Sequence, residues 1–293
     1  MADDNIPKLI FKKWQIGDVT ITRVLEMDPL TLLPEWLLKT DAETVRKHDW
    51  LQPHFATAEG QLIAHIQAFI IEASGKRIMV DPCIGNDKPR ESAMFAMHKG
   101  PFLEHLTLAG FPPESIDFVL CTHLHVDHVG WSTRLVDGKW VPTFPNARYL
   151  FARVEYEHAK VDKGPEAEAT YIDSIKPVVD AGLVELVEFD HHIVDEVRLD
   201  PSPGHTVGHC CVHVRSRGQE AVITGDMMHH PVQACEPNIC SQFCVSEAQA
   251  TKTRRDFLKK YSNTTAIVLG THFSGPTGVH VKDDGEVWRM EVA

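Results

Sequence analysis

The 293-residue chain carries 41 acidic against 29 basic residues, a formal charge of −12, with 43% hydrophobic and 24% charged residues. This is the balance of an ordinary globular protein, long enough to bury a core without disulfides or other staples. Its negative field does not attract polyanions, so nucleic acid is excluded as an expected partner. The start lacks the basic end and apolar core of a secretory signal, and no run reaches bilayer-spanning length. No membrane partner is therefore expected, and a cytoplasmic location is.

In chain order, a strand is expected over 17–26, followed by a loop and helix rich in aromatics around Trp36 and Trp50. Two apolar, β-branched runs at 65–74 and 77–85 flank a Gly-Lys turn and read as a hairpin. The second run leads to Asp81-Pro82, where the chain must leave the sheet. A helical stretch ends before Pro112-Pro113, and 116–121 is an almost continuously apolar strand, as for one covered on both faces. The run 133–141 carries an Asp-Gly hairpin signal. A strand at 148–152 and helices at 154–159 and 166–181 follow. Strands at 183–189, 197–202, 210–214 and 221–226 come next, then a helix at 246–261, a strand at 266–272 and a terminal hairpin around Asp284-Gly285. With no repeat, low-complexity tract or long linker, 1–293 reads as one domain. The strands fall into two groups, each mixed with helices. That predicts an α/β sandwich of two mixed sheets packed together with helices outside.

Eighteen histidines are many for this length. Four residues of one string, THLHVDHVGW, carry metal chemistry: His123, His125, Asp127 and His128. Imidazoles and a carboxylate suit zinc and are usable by iron or manganese. On an extended segment His123 and His125 share a face because side chains repeat every second residue. Asp127 and His128 follow a change of backbone direction, so the spacing suits two adjacent metal sites better than one. His205 in PSPGHTVGH, Asp226 closing AVITGD and His272 closing IVLGTH each follow an apolar run and stand beside or near a glycine. Ligands on loops at strand ends can converge on one edge of a rigid scaffold.

The seven cysteines form no disulfide framework. Cys83, Cys121, Cys210 and Cys211 read as small core residues. A thiolate site of Cys235, Cys240 and Cys244 is disfavoured, because the spacing lacks the close CxxC pair of most zinc modules. The lysines and arginines between Lys252 and Lys260 read as the exposed face of a helix.

The string HxHxDH (His123 to His128), followed by His205, Asp226 and His272 in that order, resembles the metallo-β-lactamase superfamily. VDPCIG, with Asp81 at a strand end, is similar to that family's early aspartate. The resemblance covers roughly 17–280. It implies an αββα sandwich with two divalent metal ions on one edge. Zinc is the expected metal, with iron, manganese or cobalt as alternatives. His123, His125 and His205 would hold the first ion, Asp127, His128 and His272 the second, with Asp226 bridging. The implied chemistry is hydrolysis by a hydroxide shared between the metals. Asp127 is the expected proton-handling residue, and Asp81 is expected behind the ligands, with Thr122 or Thr271 assisting.

The VGW after the metal motif, GDMMHHPVQ after Asp226 and the aromatic N-terminal segment resemble the branch of N-acyl homoserine lactonases and methyl parathion hydrolase-like enzymes. A small lactone or carboxylic ester is the substrate that branch implies. A phosphotriester is the runner-up, then a glyoxalase II-like thioester, then non-hydrolytic diiron chemistry. A homodimer is compatible with this reading. The substrate-positioning tyrosine of some lactonases is not placed by this resemblance, since Tyr149, Tyr156, Tyr171 and Tyr261 fit no matching motif. Pocket walls are expected from Trp131, Met227, His229, His230, Phe243 and Phe273. His191, His192, His209 and His213 read as surface or sheet residues, and His280 as part of the terminal hairpin.

Overall fold

The computed structural model describes residues 11–293. Its first strands are β1 (Phe11–Ile16), β2 (Val19–Leu32), β3 (Leu62–Ala73), β4 (Lys76–Val80) and β5 (Phe118–Leu120). A small hairpin, β6 (Thr133–Val136) and β7 (Lys139–Pro142), precedes β8 (Arg148–Ala152) and β9 (Val184–Val187). The second half contributes β10 (His192–Val194), β11 (Val197–Pro201), β12 (Cys210–Ser216) and β13 (Gln219–Ile223). The last three are β14 (Ile267–Leu269), β15 (Gly278–Asp284) and β16 (Val287–Val292). One sheet runs β1-β2-β3-β4-β5-β8-β9 and the other β10-β11-β12-β13-β14-β15-β16.

Alternation along the strands builds the sandwich. Phe69, Ile71, Ile78, Val80, Leu120 and Leu150 of the first sheet share one buried cluster with Val212, Val214, Ala221, Ile223 and Leu269 of the second. Their chain neighbours point the other way, as a two-residue period requires. Ile70, Met79, Val119, Tyr149 and Phe151 pack under Phe102 and Leu106 of the helix Phe102–Leu108 and under Ile175 and Val178. Cys211, Val222 and Val268 pack under Leu258 and Tyr261 of the helix Glu247–Tyr261. Ser246 caps that helix by accepting the Gln249 N–H at 3.4 Å. The αββα sandwich expected from the sequence is the observed architecture.

Three elements differ from expectation. Strand β1 was not anticipated, and it pairs antiparallel with β2 from Phe11↔Val24 to Ile16↔Val19. Strand β10, a short piece at the edge of the second sheet, was not anticipated either. The helix expected over 166–181 is interrupted: Pro165–Thr170 is α-helical, Tyr171–Ile175 is a π-helical turn, and Lys176–Asp180 resumes the α-helix. Pro177 is the cause. It has no N–H to give the carbonyl four residues back, that of Asp173, and its ring would clash there. The freed Asp173 carbonyl instead accepts from Thr133 Oγ1 and, at 3.3 Å, from the buried Lys88 Nζ. The Asp173 carboxylate takes Arg90 in a two-pronged pair at 2.6 and 2.8 Å.

Parallel pairing positions the site. Strands β4 and β5 run parallel, as do β13 and β14, so each pair ends on the same edge. Ile223 pairs with Leu269, which sets Asp226 and His272 each three residues beyond matched positions. Val80 pairs with Leu120, bringing Asp81 beside Thr122. No helix among the described residues is long and apolar enough to cross a membrane.

Candidate metal centre

Two groups of ligand-type atoms meet at this edge: His123, His125, His205 and Asp226 in one, Asp127, His128 and His272 in the other. Within each group the atoms lie within 4.8 Å of one another. Asp226 stands between them. Its Oδ2 is 3.7 Å from His123 Nε2 and 3.3 Å from His205 Nε2. Its Oδ1 is 3.3 Å from His128 Nε2 and 3.0 Å from His272 Nε2. Asp127 completes the second group, 3.7 Å from His128 Nε2 and 3.5 Å from His272 Nε2. All seven side chains singled out in the sequence are thus brought together.

Local structure explains how one short string serves both groups. His125 is the extended residue that opens the helical turn Val126–Val129, so His123 and His125 precede the turn and Asp127 and His128 lie on it. Asp226 follows Gly225, which has φ +51, and a Cβ at Gly225 would lie 2.6 Å from His209 Nε2. A side chain there is excluded by both the left-handed backbone and the close approach.

The surroundings fix the imidazoles. Asp81 accepts from the Thr122 N–H at 2.7 Å and from Thr122 Oγ1 at 2.8 Å, and its Oδ2 stands 3.0 Å from His128 Nδ1. Thr122 Oγ1 lies 3.1 Å from His123 Nδ1. His272 Nδ1 donates to the His65 carbonyl at 3.0 Å, and the His65 N–H returns a bond to the His272 carbonyl. Such partners orient ligand imidazoles and raise their basicity. Thr271 Oγ1, by contrast, is buried without a hydrogen-bond partner and supports no imidazole.

Electrostatics divide the groups. Burial holds His123 and His205 well below the usual histidine range, reinforced by neighbouring imidazoles. Burial would lower His128 as well, but the carboxylates of Asp226, Asp127 and Asp81 outweigh it and raise it well above that range. His272 is raised against burial by Asp226 and Asp127. Burial would raise Asp226, yet His128, His229 and His272 hold it well below the carboxylate range.

The residues fit divalent cations. His123 Nε2, His128 Nε2 and Asp226 Oδ1 are buried with no hydrogen bond of good geometry. Orphaned polar atoms cost about 1–3 kcal/mol each, and these converge on the same two places. Imidazole nitrogens and carboxylate oxygens are the donors that zinc, iron or manganese accept. Cys235, Cys240 and Cys244 belong to neither group, and all seven cysteines are free thiols.

The residues expected to wall a pocket separate. Trp131 is buried, stacked on Phe102 with ring centroids 5.8 Å apart, and donates to Glu26 at 2.6 Å. Met227 and Phe273 lie in the apolar cluster beneath the helix Glu247–Tyr261. His230 is buried and bonds the Phe55 carbonyl at 2.7 Å. Phe243 is 50% exposed and meets Trp36 edge-on at 6.1 Å. His229 is buried with Nε2 3.1 Å from Asp226 Oδ2, closer to the centre than a pocket wall. Tyr149 is a core residue whose hydroxyl donates to the Ser132 carbonyl.

Sequence reasoning missed three supports. Glu26 accepts from the Ile84 and Gly85 N–H groups and from Trp131, pinning the loop after β4, and burial pushes its carboxyl up to about 7. Glu155 accepts from Leu124 at 3.2 Å and Gly208 at 2.8 Å, tying two ligand-bearing loops. His209 was read as a surface or sheet residue, but it is buried against the Asp226 backbone. Glu26 and Glu155 give no sequence signal, since isolated carboxylates on a strand and a helix look like solvated ones.

A two-sheet sandwich with histidine and aspartate groups at the ends of its parallel strands defines a class of metal-dependent hydrolases. The chain belongs to the metallo-beta-lactamase superfamily, whose sequence profile matches residues 64–272. An N-acyl homoserine lactonase of Bacillus sp is 30% identical over 104 residues, 36% of this chain and 35% of that protein. Integrator complex subunit 11 of Danio rerio is 26% identical over 226 residues, 67% of this chain and 35% of that protein. The chain thus spans about a third of the length of these curated relatives. Among solved structures, hydrolase AbOPH superposes with TM-score 0.80 at 23% identity, covering 98% of this chain and 99% of that one. AidC, a dizinc quorum-quenching lactonase, gives TM-score 0.80 at 19% identity, covering 97% of each chain.

Proposed function

We propose that the protein is a two-metal hydrolase that opens lactones or cleaves carboxylic esters. The observation that carries this reading is the division of Asp226, with one carboxylate oxygen toward each group of imidazoles. His123, His125 and His205 would hold one ion, Asp127, His128 and His272 the other, and Asp226 both. Bound divalent ions, zinc first among them, supply Lewis acidity and lower the pKa of water toward neutrality.

The chain's own residues do the rest. His123, His128, His205 and Asp226 are buried, so water is excluded behind the reacting carbonyl and charges act at low dielectric. His125 and Asp127 are the partly open members, and substrate approaches over them. Asp127, on that open side, holds or passes the proton that must reach the departing alkoxide. Phe243 and Trp36 offer an apolar wall for the acyl or aryl part. Val245, two residues past Phe243, donates its N–H to the His205 carbonyl at 2.9 Å, which keeps that wall next to the centre.

The likeness to N-acyl homoserine lactonases in sequence and to a lactonase with N-hexnoyl-L-homoserine bound in structure supports the lactone reading. With seven free thiols, the cytoplasm is the proposed compartment. The test is turnover by zinc-loaded protein of a panel of acyl homoserine lactones, aryl esters and paraoxon-like phosphotriesters. Lactone or ester turnover that disappears in Asp127→Ala with the fold retained is the expected result. Phosphotriester turnover alone, or activity unchanged in that variant, would overturn it.

A further inference from the structure

Two buried imidazoles at the centre, His209 and His229, belong to neither ion-holding group, and His209 is the one bonded to a ligand's backbone. His209 packs against His123 with ring centroids 5.1 Å apart and against His205 at 6.0 Å. Position alone would make it look like another ligand. Its hydrogen bonds say otherwise. The Asp226 backbone N–H lies 2.9 Å from His209 Nε2. A backbone N–H can only donate, so Nε2 is the bare, accepting nitrogen and its lone pair is taken. The ring proton must then sit on Nδ1, which lies 2.7 Å from Ser202 Oγ. Ser202 Oγ accepts that proton and also the Cys211 thiol at 3.2 Å, and its own hydrogen reaches the His209 carbonyl at 3.5 Å. The ring hydrogen of His209 and the hydroxyl hydrogen of Ser202 are thereby placed, and the Cys211 thiol has the Thr224 carbonyl at 3.3 Å as a second acceptor.

We infer that His209 is a positioning residue: held as the Nδ1–H tautomer by Ser202, it grips the backbone of Asp226 and so sets the carboxylate that both groups share. This rests on the two-ion reading above. The physical need is plain. Asp226 leaves the sheet through a left-handed glycine, where no strand carbonyl takes its N–H. Without His209 that N–H would be buried and unpaired. Because one oxygen of Asp226 faces each group, a shift of its backbone disturbs both ions together. A partner behind a single imidazole, such as the His65 carbonyl behind His272, disturbs only one.

Zinc titration of the wild type, His209→Phe, His209→Gln and Ser202→Ala, with cobalt(II) absorption spectra of the loaded proteins, tests this. His209→Phe is expected to weaken both binding steps by similar factors, roughly 10–100-fold, the usual loss when a ligand's outer partner is removed. His209→Gln keeps an acceptor for the Asp226 N–H and should recover most of the affinity, with Ser202→Ala between the two. Loss of one ion with the other unaffected, or wild-type affinity for both in His209→Phe, overturns the assignment. Should His209→Phe fail to fold, imidazole 15N NMR of the wild-type protein decides, with or without zinc. Protonated Nδ1 and bare Nε2 are expected, and the reverse tautomer overturns the inference. A wild type that binds no zinc but shows the expected tautomer leaves the grip on Asp226 standing and removes the two-ion reading instead.

Discussion

The group of His123, His125 and His205 differs from that of Asp127, His128 and His272 in how its imidazoles are held. In the first, burial keeps His123 and His205 neutral, and the polar atoms behind them are weak partners. Thr122 Oγ1 stands behind His123, and the Cys244 thiol lies 3.8 Å from His205 Nδ1. In the second, Asp81 and the His65 carbonyl back the rings, and neighbouring carboxylates make His128 and His272 more basic. A neutral imidazole offers its lone pair at once, whereas a basic one must first lose a proton. The difference teaches that two sites sharing one carboxylate can differ in how they respond to acid.

The strongest way to break this picture is to remove what the groups share. Asp226→Ala should abolish binding of both ions and lower turnover at least ~1000-fold, about 4 kcal/mol of barrier. Metal analysis together with ester or lactone assays measures it, and retention of both ions would contradict the sharing. Next in size, His205→Ala and His272→Ala should each reduce stoichiometry from two ions to one, with opposite groups emptied. Identical cobalt(II) spectra for the two single-ion proteins would show that the groups are not separate. Asp81→Ala should weaken the second ion by roughly 10–100-fold through His128 and the first by less through Thr122, read by calorimetry as two unequally altered binding steps.

The smallest effect is the pH response. His128 is raised well above the usual histidine range, so near neutrality the ion-free protein carries a proton there that an ion must displace, and His272 is raised in the same direction. His123 and His205 are lowered and carry none. As pH falls below neutrality, the ion between Asp127, His128 and His272 should leave first, and stoichiometry should step from two to one before reaching zero. Simultaneous loss of both ions would argue against the difference drawn here.

Much of the centre was legible because its chemistry is dense in the text. HxHxDH compresses four donors into six residues, and the other three close apolar runs beside glycine-containing turns. The pocket was less legible. Trp131, Met227, His230 and Phe273 lie close to ligands in sequence, yet alternation and the tight turns bury them, while the exposed Phe243 meets Trp36 from a distant segment. Glu26, Glu155 and His209 were invisible as supports, because a hydrogen bond to a remote backbone N–H leaves no pattern in the residues around it.

By itself the sequence determined the two-period strands, the mixed α/β character and the seven candidate donor side chains, since these follow from local polarity and residue chemistry. Tertiary structure decided the rest: which strands run parallel, that Ile223 pairs with Leu269 so Asp226 and His272 end level, and that Pro177 frees a carbonyl for Lys88. Those outcomes depend on contacts between residues far apart along the chain, and only the folded packing supplies them.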